Sequence, residues 1–286
     1  MVSLIVPSLE GDISDLRKSI EIQSFSDYEL IVVKGVSPNG RARNVGVSRS
    51  KGDIFVFIDD DATLGHKDVI KQLLDILENS DSIGVVGSSR IIPEDSTWLQ
   101  RRIAKEIPRI EHAVVDKAVE SNPSVNSRSF SEITTTCCAI RKGVFLEAGG
   151  FSEKLVRGVD TEFFFRVRKL GYRFILAPNC WVYHPPPEDI ASLLRKYYLY
   201  GTGHAQEALK NPERNIGIKI NSLLKGIVYL LFRTAILIPN IFIPYSFAYR
   251  KIEISIKPIK AIVSYINSWG YTLEYLKRKN QNENCN

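Results

Sequence analysis

The fold class follows from one stretch of the sequence, Lys51-Gly52-Asp53-Ile54-Phe55-Val56-Phe57-Ile58-Asp59-Asp60-Asp61. Its five consecutive apolar residues predict a strand that is covered on both faces of a sheet. Three carboxylates follow this strand directly, and ligands of open α/β sheets bind at the carboxyl ends of the strands. The stretch therefore predicts a buried strand that ends in an acidic binding site.

Short apolar runs on either side of this stretch alternate with helical patterns. Such alternation is typical of βαβ units, so the sequence predicts an α/β fold with an open, mostly parallel sheet flanked by helices. The predicted strands are Val2–Val6, Leu30–Val33, Ile54–Ile58, Ile83–Val86, Ile133–Ile140 and Phe174–Ala177. The predicted helices are 13–20 with Asp12 as N-cap, Gly65–Glu78, Arg101–Ile107, Lys142–Ala148 and Asp160–Leu170. The serine- and asparagine-rich stretch Ser121–Ser131 predicts a mobile loop.

The net charge of +6 is unevenly distributed over the 286 residues. Residues 190–286 hold 14 lysines and arginines against 5 acidic residues, a net charge of +9, so the rest of the chain carries −3. A content of 44% hydrophobic residues is enough for a large core and excludes a disordered chain. We therefore predict a globular body over residues 1–187 and a basic helical region over residues 188–286 that meets an anionic surface.

The cysteines and the N-terminus exclude several classes of protein. Cys137, Cys138, Cys180 and Cys285 show no Cys-x-x-Cys spacing, which argues against a zinc ribbon or a thioredoxin-type site and predicts reduced thiols in a cytosolic setting. Residues 1–12 have no basic segment followed by a long apolar core, so they predict a first strand and not a signal peptide. Nucleic-acid binding is disfavoured, because the basic residues of the C-terminal region are interleaved with long aliphatic runs.

Side chains that suit metals and anions cluster near the predicted strand ends. Asp59-Asp60-Asp61 would repel one another, and Mg²⁺ or Mn²⁺ would relieve this, unless the triplet is only an acidic turn. The segment Gly40–Gly46 has two arginines at a predicted helix start. They either bind a phosphate or form a basic helix face that is exposed to solvent. Asp160 is a functional carboxylate or an ordinary helix cap, and His184 is a metal ligand or a structural histidine.

Taken together and in this order, these residues resemble the family-2 glycosyltransferases of the GT-A fold. The resemblance covers residues 2–184. It implies an enzyme that moves a sugar from a nucleotide-sugar donor to an acceptor, with inversion at the anomeric carbon. The motifs that carry it are Val2–Pro7, Glu29–Val33, Ala42–Gly46, Lys51–Asp61, Gly149–Phe151, Gly158–Arg166 and Pro178–His184.

The resemblance implies five donor-binding residues, Pro7, Arg43, Asp59, Asp60 and Asp61. Pro7 and Arg43 would line the nucleotide pocket, and Asp59 would contact the ribose. Asp61 would hold a Mg²⁺ or Mn²⁺ ion on the donor diphosphate. The nucleotide-sugar would therefore bind at the sheet edge where the acidic triplet lies.

The resemblance also implies that Asp160 is the catalytic base that deprotonates the acceptor hydroxyl and that His184 is a further metal ligand. Two positions depart from the family pattern. The segment Lys34–Ser37 has no carboxylate where the family reads the base, so the nucleotide stays open, and Val159 replaces the acidic neighbour of Asp160. The Gln-x-x-Arg-Trp signature of processive synthases is absent, which favours transfer of a single sugar.

The C-terminal region predicts contact with a membrane. Apolar residues of Lys219–Arg233 form one helical stripe, and Gly226–Tyr249 is a run of 24 mostly apolar residues interrupted by an arginine and prolines. A single span, a re-entrant segment or a surface helix fits this pattern, and so does a soluble helical subdomain. A second amphipathic pattern over Ile259–Leu273 and the basic Lys277-Arg278-Lys279 suit anionic headgroups. We expect attachment to the cytoplasmic face of the cell membrane.

A sugar-transferring body on a membrane predicts a lipid-linked or glycan acceptor in glycan biosynthesis. Three alternatives stay open: a polyprenyl-phosphate sugar synthase, a nucleotidyltransferase, and a non-catalytic sugar-nucleotide-binding membrane protein. Polyprenyl phosphate supplied alone as acceptor identifies the first. Release of pyrophosphate in place of a nucleoside diphosphate identifies the second.

Overall fold

The computed structural model describes residues 1–107, 109–120, 133–214, 216–243, 245–247, 250–254 and 256–283. The loop predicted over Ser121–Ser131 and Cys285 lie outside the described residues. The chain divides into two compact units. The first, here called the sheet unit, comprises Met1–Ser96, Arg109–Lys154 and Val159–Pro185. The second, here called the helical unit, comprises Thr97–Pro108, Leu155–Gly158 and Pro186–Asn286.

The sheet unit contains one eight-stranded sheet. Its strands are β1 (Val2–Ser8), β2 (Tyr28–Lys34), β3 (Ile54–Ile58), β4 (Thr63–Leu64), β5 (Ile83–Ile91), β6 (Val119–Glu120), β7 (Cys137–Arg141) and β8 (Arg173–Tyr183). They lie in the order β2-β1-β3-β7-β5-β8-β4, and β6 also pairs with β8. Every residue of β1 is buried, so this strand lies inside the unit as its apolar run predicts.

The sheet is mixed, so the prediction of a mostly parallel sheet is confirmed only in part: five strands run in one direction and β4, β6 and β7 run against them. β1 runs parallel to β2 and β3, and β5 runs parallel to β8. β7 lies antiparallel to both of its neighbours, β3 and β5, and β4 and β6 are antiparallel to β8. An apolar run predicts a strand but not its direction, which depends on the connection that returns the chain to the sheet.

The helices predicted from the sequence are present with shifted ends. Across the described chain the α-helices, predicted and unpredicted, are α1 (Ser14–Glu21), α2 (Asn39–Arg49), α3 (Val69–Glu78), α4 (Trp98–Glu106), α5 (Lys142–Glu147), α6 (Val159–Lys169), α7 (Ile190–Lys210), α8 (Leu223–Ala235), α9 (Leu237–Phe242) and α10 (Pro258–Glu283). The N-cap of α1 is Ile13 and not Asp12, whose Oδ1 accepts hydrogen bonds from the backbone N–H and hydroxyl of Ser14 at 3.0 and 2.6 Å. α3 begins at Val69 and not at Gly65, because the backbone N–H of Gly65 donates to the carbonyl of Trp181 in β8 at 3.0 Å and so continues the pairing of β4.

The core of the sheet unit covers both faces of β3. On one face Phe57 contacts Phe145 and Phe151, with ring centroids 5.8 and 5.1 Å apart. On the other face Val56 and Ile58 join the apolar cluster that includes the leucines of α3. The strand is therefore buried from both sides, and this burial fixes the position of the acidic residues that follow it.

The helical unit is centred on α7 and α10. A Cβ atom added to Gly201 of α7 would lie 2.0 Å from the carbonyl oxygen of Asn267, and one added to Gly270 of α10 would lie 2.1 Å from that of Tyr198. Only glycine therefore allows the two helix backbones to approach this closely.

The apolar run Gly226–Tyr249 is not one helix. It contains most of α8, then α9, and then the first strand of a hairpin formed by β9 (Tyr245–Phe247) and β10 (Arg250–Ile254). Among the described residues, no helix combines the length and the apolar composition that crossing a bilayer requires.

Candidate active site

The acidic triplet and His184 meet at one edge of the sheet. Asp59, Asp61 and His184 each offer a ligand atom within 4.8 Å of the others, and Nε2 of His184 lies 3.4 Å from Oδ1 of Asp61. The topology explains the meeting, because β4 begins two residues after Asp61 and pairs with the last two residues of β8. The end of β8 therefore lies beside the triplet, and His184 is the residue that follows this strand.

The residues present fit a divalent cation. Two carboxylates and one imidazole form a donor set that suits Mn²⁺, and the carboxylates alone suit Mg²⁺. Burial raises the pKa of Asp60; a hydrogen bond from Ser8 opposes this rise, and the negative charges of Asp61 and Asp59 add to it. A positive ion among these groups would remove the repulsion that raises this pKa. The geometry places Asp59 beside Asp61 and His184, the two metal ligands that the resemblance implied, so Asp59 is a further candidate ligand.

Arg43 lies behind Asp59 and supports it. Its side chain is 4% exposed, and its Nη2 donates to Oδ1 of Asp59 at 2.7 Å. Its guanidinium also lies over the ring of Phe151, 5.6 Å from the centroid. Arg43 thus orients a carboxylate of the candidate site, and its contact with a nucleotide stays a prediction. A charge-assisted pair of this length is among the stronger hydrogen bonds in proteins.

Asn44, the residue after Arg43, fixes the turn before α6. Its Oδ1 accepts from the backbone N–H of Phe151 at 3.0 Å, and its Nδ2 donates to the carbonyl of the same residue at 2.9 Å. A Cβ on Gly40 would lie 2.2 Å from the carbonyl oxygen of Ser152. The first turn of α2 therefore packs closely against this backbone. The Gly40–Gly46 motif therefore connects the end of β3, through Arg43, to the Gly149–Phe151 motif, through Asn44.

Arg166 of α6 also fixes the Gly149–Phe151 turn, through an ion pair and hydrogen bonds to backbone carbonyls. Arg166 donates through Nε and Nη2 to the two carboxylate oxygens of Glu162, at 3.1 and 2.8 Å. Its Nη2 also donates to the carbonyl of Gly150 at 2.6 Å, and its Nη1 donates to that of Ala148. Glu162 is fully buried, so this pair fixes the start of α6 relative to the turn.

Asp160 is the second residue of α6 and not its N-cap. Its Oδ2 lies 3.2 Å from Nη2 of Arg109, and the two side chains are 17% and 22% exposed. The carbonyl oxygen of Arg109 accepts from Nη2 of the buried Arg90 at 3.0 Å. Arg90 also donates to Thr134. Asp160 therefore lies in a partly exposed ion pair whose arginine is itself held in place.

Asp160 and Asp59 lie near the same buried thiol. The pKa of Cys138 is raised well above its usual value, first by burial and then by Cys137. Arg43 opposes this rise, and the charges of Asp160 and Asp59 add to it. The sheet unit thus brings the candidate base and the candidate metal ligands to one region.

The remaining sequence candidate, Pro7, is buried in β1 beside Val33 of β2. Its contact with a nucleotide stays a prediction. Sequence reasoning missed Ser8, whose hydroxyl accepts from the backbone N–H of Gly11 at 2.8 Å and also bonds to Asp60. The signal was weak, since Ser8 is one polar residue after an apolar run.

The comparisons with known proteins agree with this architecture. The model of the family described as "Glycosyltransferase like family" matches residues 13–186, more than half of the chain. The amylovoran biosynthesis glycosyltransferase AmsB of Erwinia amylovora is 24% identical over 216 residues, which cover 72% of this chain and 64% of that protein. The probable glycosyltransferase YdaM of Bacillus subtilis is 25% identical over 245 residues, which cover 81% and 57%. The chain thus spans less than two thirds of the length of these relatives.

A solved structure shares the fold. The mannosyltransferase PcManGT of Pyrobaculum calidifontis, in complex with GDP-Man and Mn²⁺, superposes with a TM-score of 0.56 at 14% identity, over 96% of this chain and 86% of that chain. The mixed sheet with its flanking helices is therefore of the GT-A type. Because the family match spans the acidic triplet, the Gly-Gly-Phe turn, Asp160 and His184, the chain belongs to the glycosyltransferase-like family.

Proposed function

We propose that the chain is a metal-dependent, inverting glycosyltransferase that moves one sugar from a nucleotide-sugar to an acceptor. The observation that carries the proposal is the convergence of Asp59, Asp61 and His184 within 4.8 Å, in the unit that also holds Asp160. Family membership supports sugar transfer. The relative named for amylovoran biosynthesis supports a role in making glycans.

Asp59, Asp61 and His184 would hold Mn²⁺ or Mg²⁺ together with the donor diphosphate. When bound, the ion would stabilise the negative charge that develops on the leaving nucleoside diphosphate. Arg43 would keep the carboxylate of Asp59 in position for this contact, and Asp60 would complete the donor site. The Mn²⁺ and GDP-Man in the PcManGT structure support this assignment.

Asp160 would be the general base. The acceptor hydroxyl would attack the anomeric carbon while the diphosphate leaves from the opposite face, so the configuration would invert. Asp160 would take the proton of that hydroxyl, and Arg109 would orient its carboxylate through the contact at Oδ2. Base catalysis of this kind typically contributes about 10²–10⁴-fold to the rate.

Lys34 would help to select the donor base. It ends β2 next to Ser8 of β1, and the N–H of Gly35 donates to the carbonyl of Ser8 at 2.9 Å. An ammonium group donates hydrogen bonds and accepts none, so it suits a base with a carbonyl oxygen at its edge. Guanine offers O6 and N7 there and uracil offers O4, so Lys34 fits either base and both a guanosine and a uridine donor are to be tested.

The acceptor would be lipid-linked, since the C-terminal region is basic and apolar. A polyprenyl-phosphate sugar synthase differs only in using the lipid phosphate itself as acceptor. The assay is therefore run with polyprenyl phosphate and with a lipid-linked sugar, and the released product is identified. A nucleoside diphosphate supports sugar transfer, whereas pyrophosphate would identify a nucleotidyltransferase.

Donor binding is tested by thermal shift with GDP and UDP, each with and without Mn²⁺. A ligand that binds only the folded state raises the melting temperature in proportion to its occupancy. We expect a rise that needs Mn²⁺ and that Asp61→Asn abolishes. Asp75→Asn, which changes an exposed carboxylate on α3, is the matched control and should behave as wild type. A rise that survives in Asp61→Asn would remove Asp61 as a metal ligand.

A further inference from the structure

The second half of the helical unit exposes a dense group of apolar side chains. Of 24 large apolar residues that are exposed in the described chain, nine fall in α8, α9 and the residue that follows them. Their side chains are between 47% and 71% exposed. We call them the α8–α9 surface; they are Leu223, Leu224, Ile227, Val228, Leu231, Phe232, Ile238, Phe242 and Ile243.

The part of this surface on α8 forms one face of the helix. Its six residues recur as pairs at intervals of four, which places them on one half of the helical circumference. The opposite half packs within the helical unit. There Gly226 is buried near Thr272 and Leu276, and Tyr229 packs on the cluster that contains Tyr271. α8 is therefore partnered on one side only, and contiguous apolar patches of this kind mark interaction surfaces.

The charged residues of the segment that contains this surface are all positive. Residues 215–252 contain no aspartate or glutamate but five lysines and arginines. Lys225 is exposed in the first turn of α8, and Lys219 is exposed in the segment that precedes this helix. Nζ of Lys279 donates to the carbonyl of Asn221 at 2.6 Å, which brings the basic end of α10, with the exposed Lys277, to the same place. The apolar face therefore has a positively charged border.

We propose that the α8–α9 surface docks on the surface of an anionic lipid bilayer. The apolar side chains would enter the boundary between headgroups and acyl chains, while the lysines at the border would contact lipid phosphates. Lysine stems reach such headgroups while their own methylene groups stay in apolar surroundings. A helix that lies in the interface needs neither the length nor the uniform apolarity of a span.

The charge favours a membrane over a second copy of the chain. A two-fold dimer through this surface would bring two borders of the same positive charge together, because the same patch is used on both subunits. An anionic bilayer instead offers opposite charge and an apolar interior. Docking does not depend on the proposed sugar transfer. If both hold, the enzyme would work at the cytoplasmic leaflet, which carries anionic lipid, where a lipid-linked acceptor would be present.

The test is co-sedimentation of the full chain with vesicles of phosphatidylcholine alone or mixed with phosphatidylglycerol. We expect binding to the mixed vesicles. The double variant Leu224→Gln/Leu231→Gln should weaken it about tenfold or more, since two exposed leucines lose their contact with lipid. The matched control is Ile22→Gln/Leu146→Gln, which changes an isoleucine and a leucine of the sheet unit whose side chains are 63% and 59% exposed. The control should bind as wild type.

The charged border has its own test. Lys225→Gln/Lys277→Gln should weaken binding at low salt, by about fivefold per lysine, and the difference from wild type should disappear at high salt. Because all substituted side chains in these variants are exposed, circular dichroism and melting temperature should match those of wild type. An independent readout is Leu231→Trp, whose fluorescence should shift to the blue on mixed vesicles, whereas that of Leu146→Trp should not.

Three results would overturn the proposal. The first is no binding of the wild-type chain to mixed vesicles. The second is binding that the α8 double variant leaves unchanged or that the control variant weakens equally. The third is self-association without lipid that the α8 double variant abolishes, which would assign the surface to a second copy of the chain.

Discussion

The sheet edge after β3 and the start of α6 each pair a carboxylate with an arginine, but the two pairs differ in burial. Arg43 is 4% exposed and lies 2.7 Å from Asp59, whereas Arg109 is 22% exposed and lies 3.2 Å from Asp160. A buried arginine cannot leave its carboxylate without losing the charged hydrogen bond that compensates most for its desolvation. A partly exposed one can exchange its carboxylate for water or for substrate. The difference indicates a fixed support at the proposed donor site and an adjustable contact at the proposed base.

The largest expected effect tests the role of the adjustable pair. Asp160→Asn keeps the shape of the side chain but removes a base able to take a proton. We expect kcat to fall by about 10²–10⁴-fold, while Mn²⁺-dependent binding of the donor nucleotide stays near the wild-type value. Steady-state kinetics and titration calorimetry measure the two quantities. Unchanged turnover would exclude Asp160 as the base.

The next effect tests whether the Arg43 pair is a fixed support. Arg43→Met keeps an apolar stem of similar length but leaves Asp59 without its cation. We expect a loss of about 3 kcal/mol in the free energy of unfolding, at the lower end for a broken buried pair because Asp59 is itself 24% exposed. Mn²⁺ affinity should also fall by about 10–100-fold, as when the partner of a metal ligand is removed.

The control for this variant is Arg173→Met. Arg173 pairs with Glu120 at 2.6 Å, but the side chains are 44% and 36% exposed. Exposed pairs contribute little, so urea denaturation should show no clear loss of stability for this variant. Equal losses for Arg43→Met and Arg173→Met would contradict the distinction between a buried support and a surface pair.

The sequence predicts which polar residues follow the strands of this site, but not which side chains pair with them. The meeting of Asp59, Asp61 and His184 was predictable because carboxylates and a histidine directly follow strands, and strand ends share an edge. The side chains that pair with these residues were not predictable in the same way. The pairing of Arg43 with Asp59 was not predicted, because a helix start with an arginine suits a phosphate equally well.

Long-range pairing was the hardest part to predict. Arg109 lies in a segment with no hydrophobic period, so nothing in the sequence distinguishes it from the nearby Arg101 and Arg102 as the partner of Asp160. The direction of β7 was missed for a related reason. A run of apolar residues has the same pattern whether the strand is parallel or antiparallel to its neighbours. The direction of β7 therefore depends on the connection that returns the chain to the sheet.

A smaller effect is expected from Arg109→Met. Because this pair is partly exposed, stability should change little, and donor binding should stay as in wild type. We expect kcat to fall about tenfold, less than the 10²-fold that a misplacement of about 1 Å can cause. Arg109→Lys should restore part of the loss, since it returns a cation near Oδ2. A purely structural role would instead lower the melting temperature and leave no rescue in kcat.

The smallest effect concerns cysteine reactivity, because Cys138 lies near both pairs. Burial raises the pKa of Cys137 to about 12 and those of Cys138 and Cys180 well above their usual value, so these thiols should resist iodoacetamide at pH 8 in the folded chain. Arg109→Met should leave this resistance unchanged within error, since a surface contact does not hold β7 in place. Arg43→Met has two opposing effects on Cys138: loss of the positive charge leaves the pKa of the folded thiol higher, whereas local opening near a broken buried pair becomes more frequent. Because the folded thiol is already nearly unreactive, opening should dominate, and labelling of Cys138 should be detectably faster. Peptide mapping by mass spectrometry measures each rate, and equal rates in the two variants would mean that both pairs support the core to the same degree.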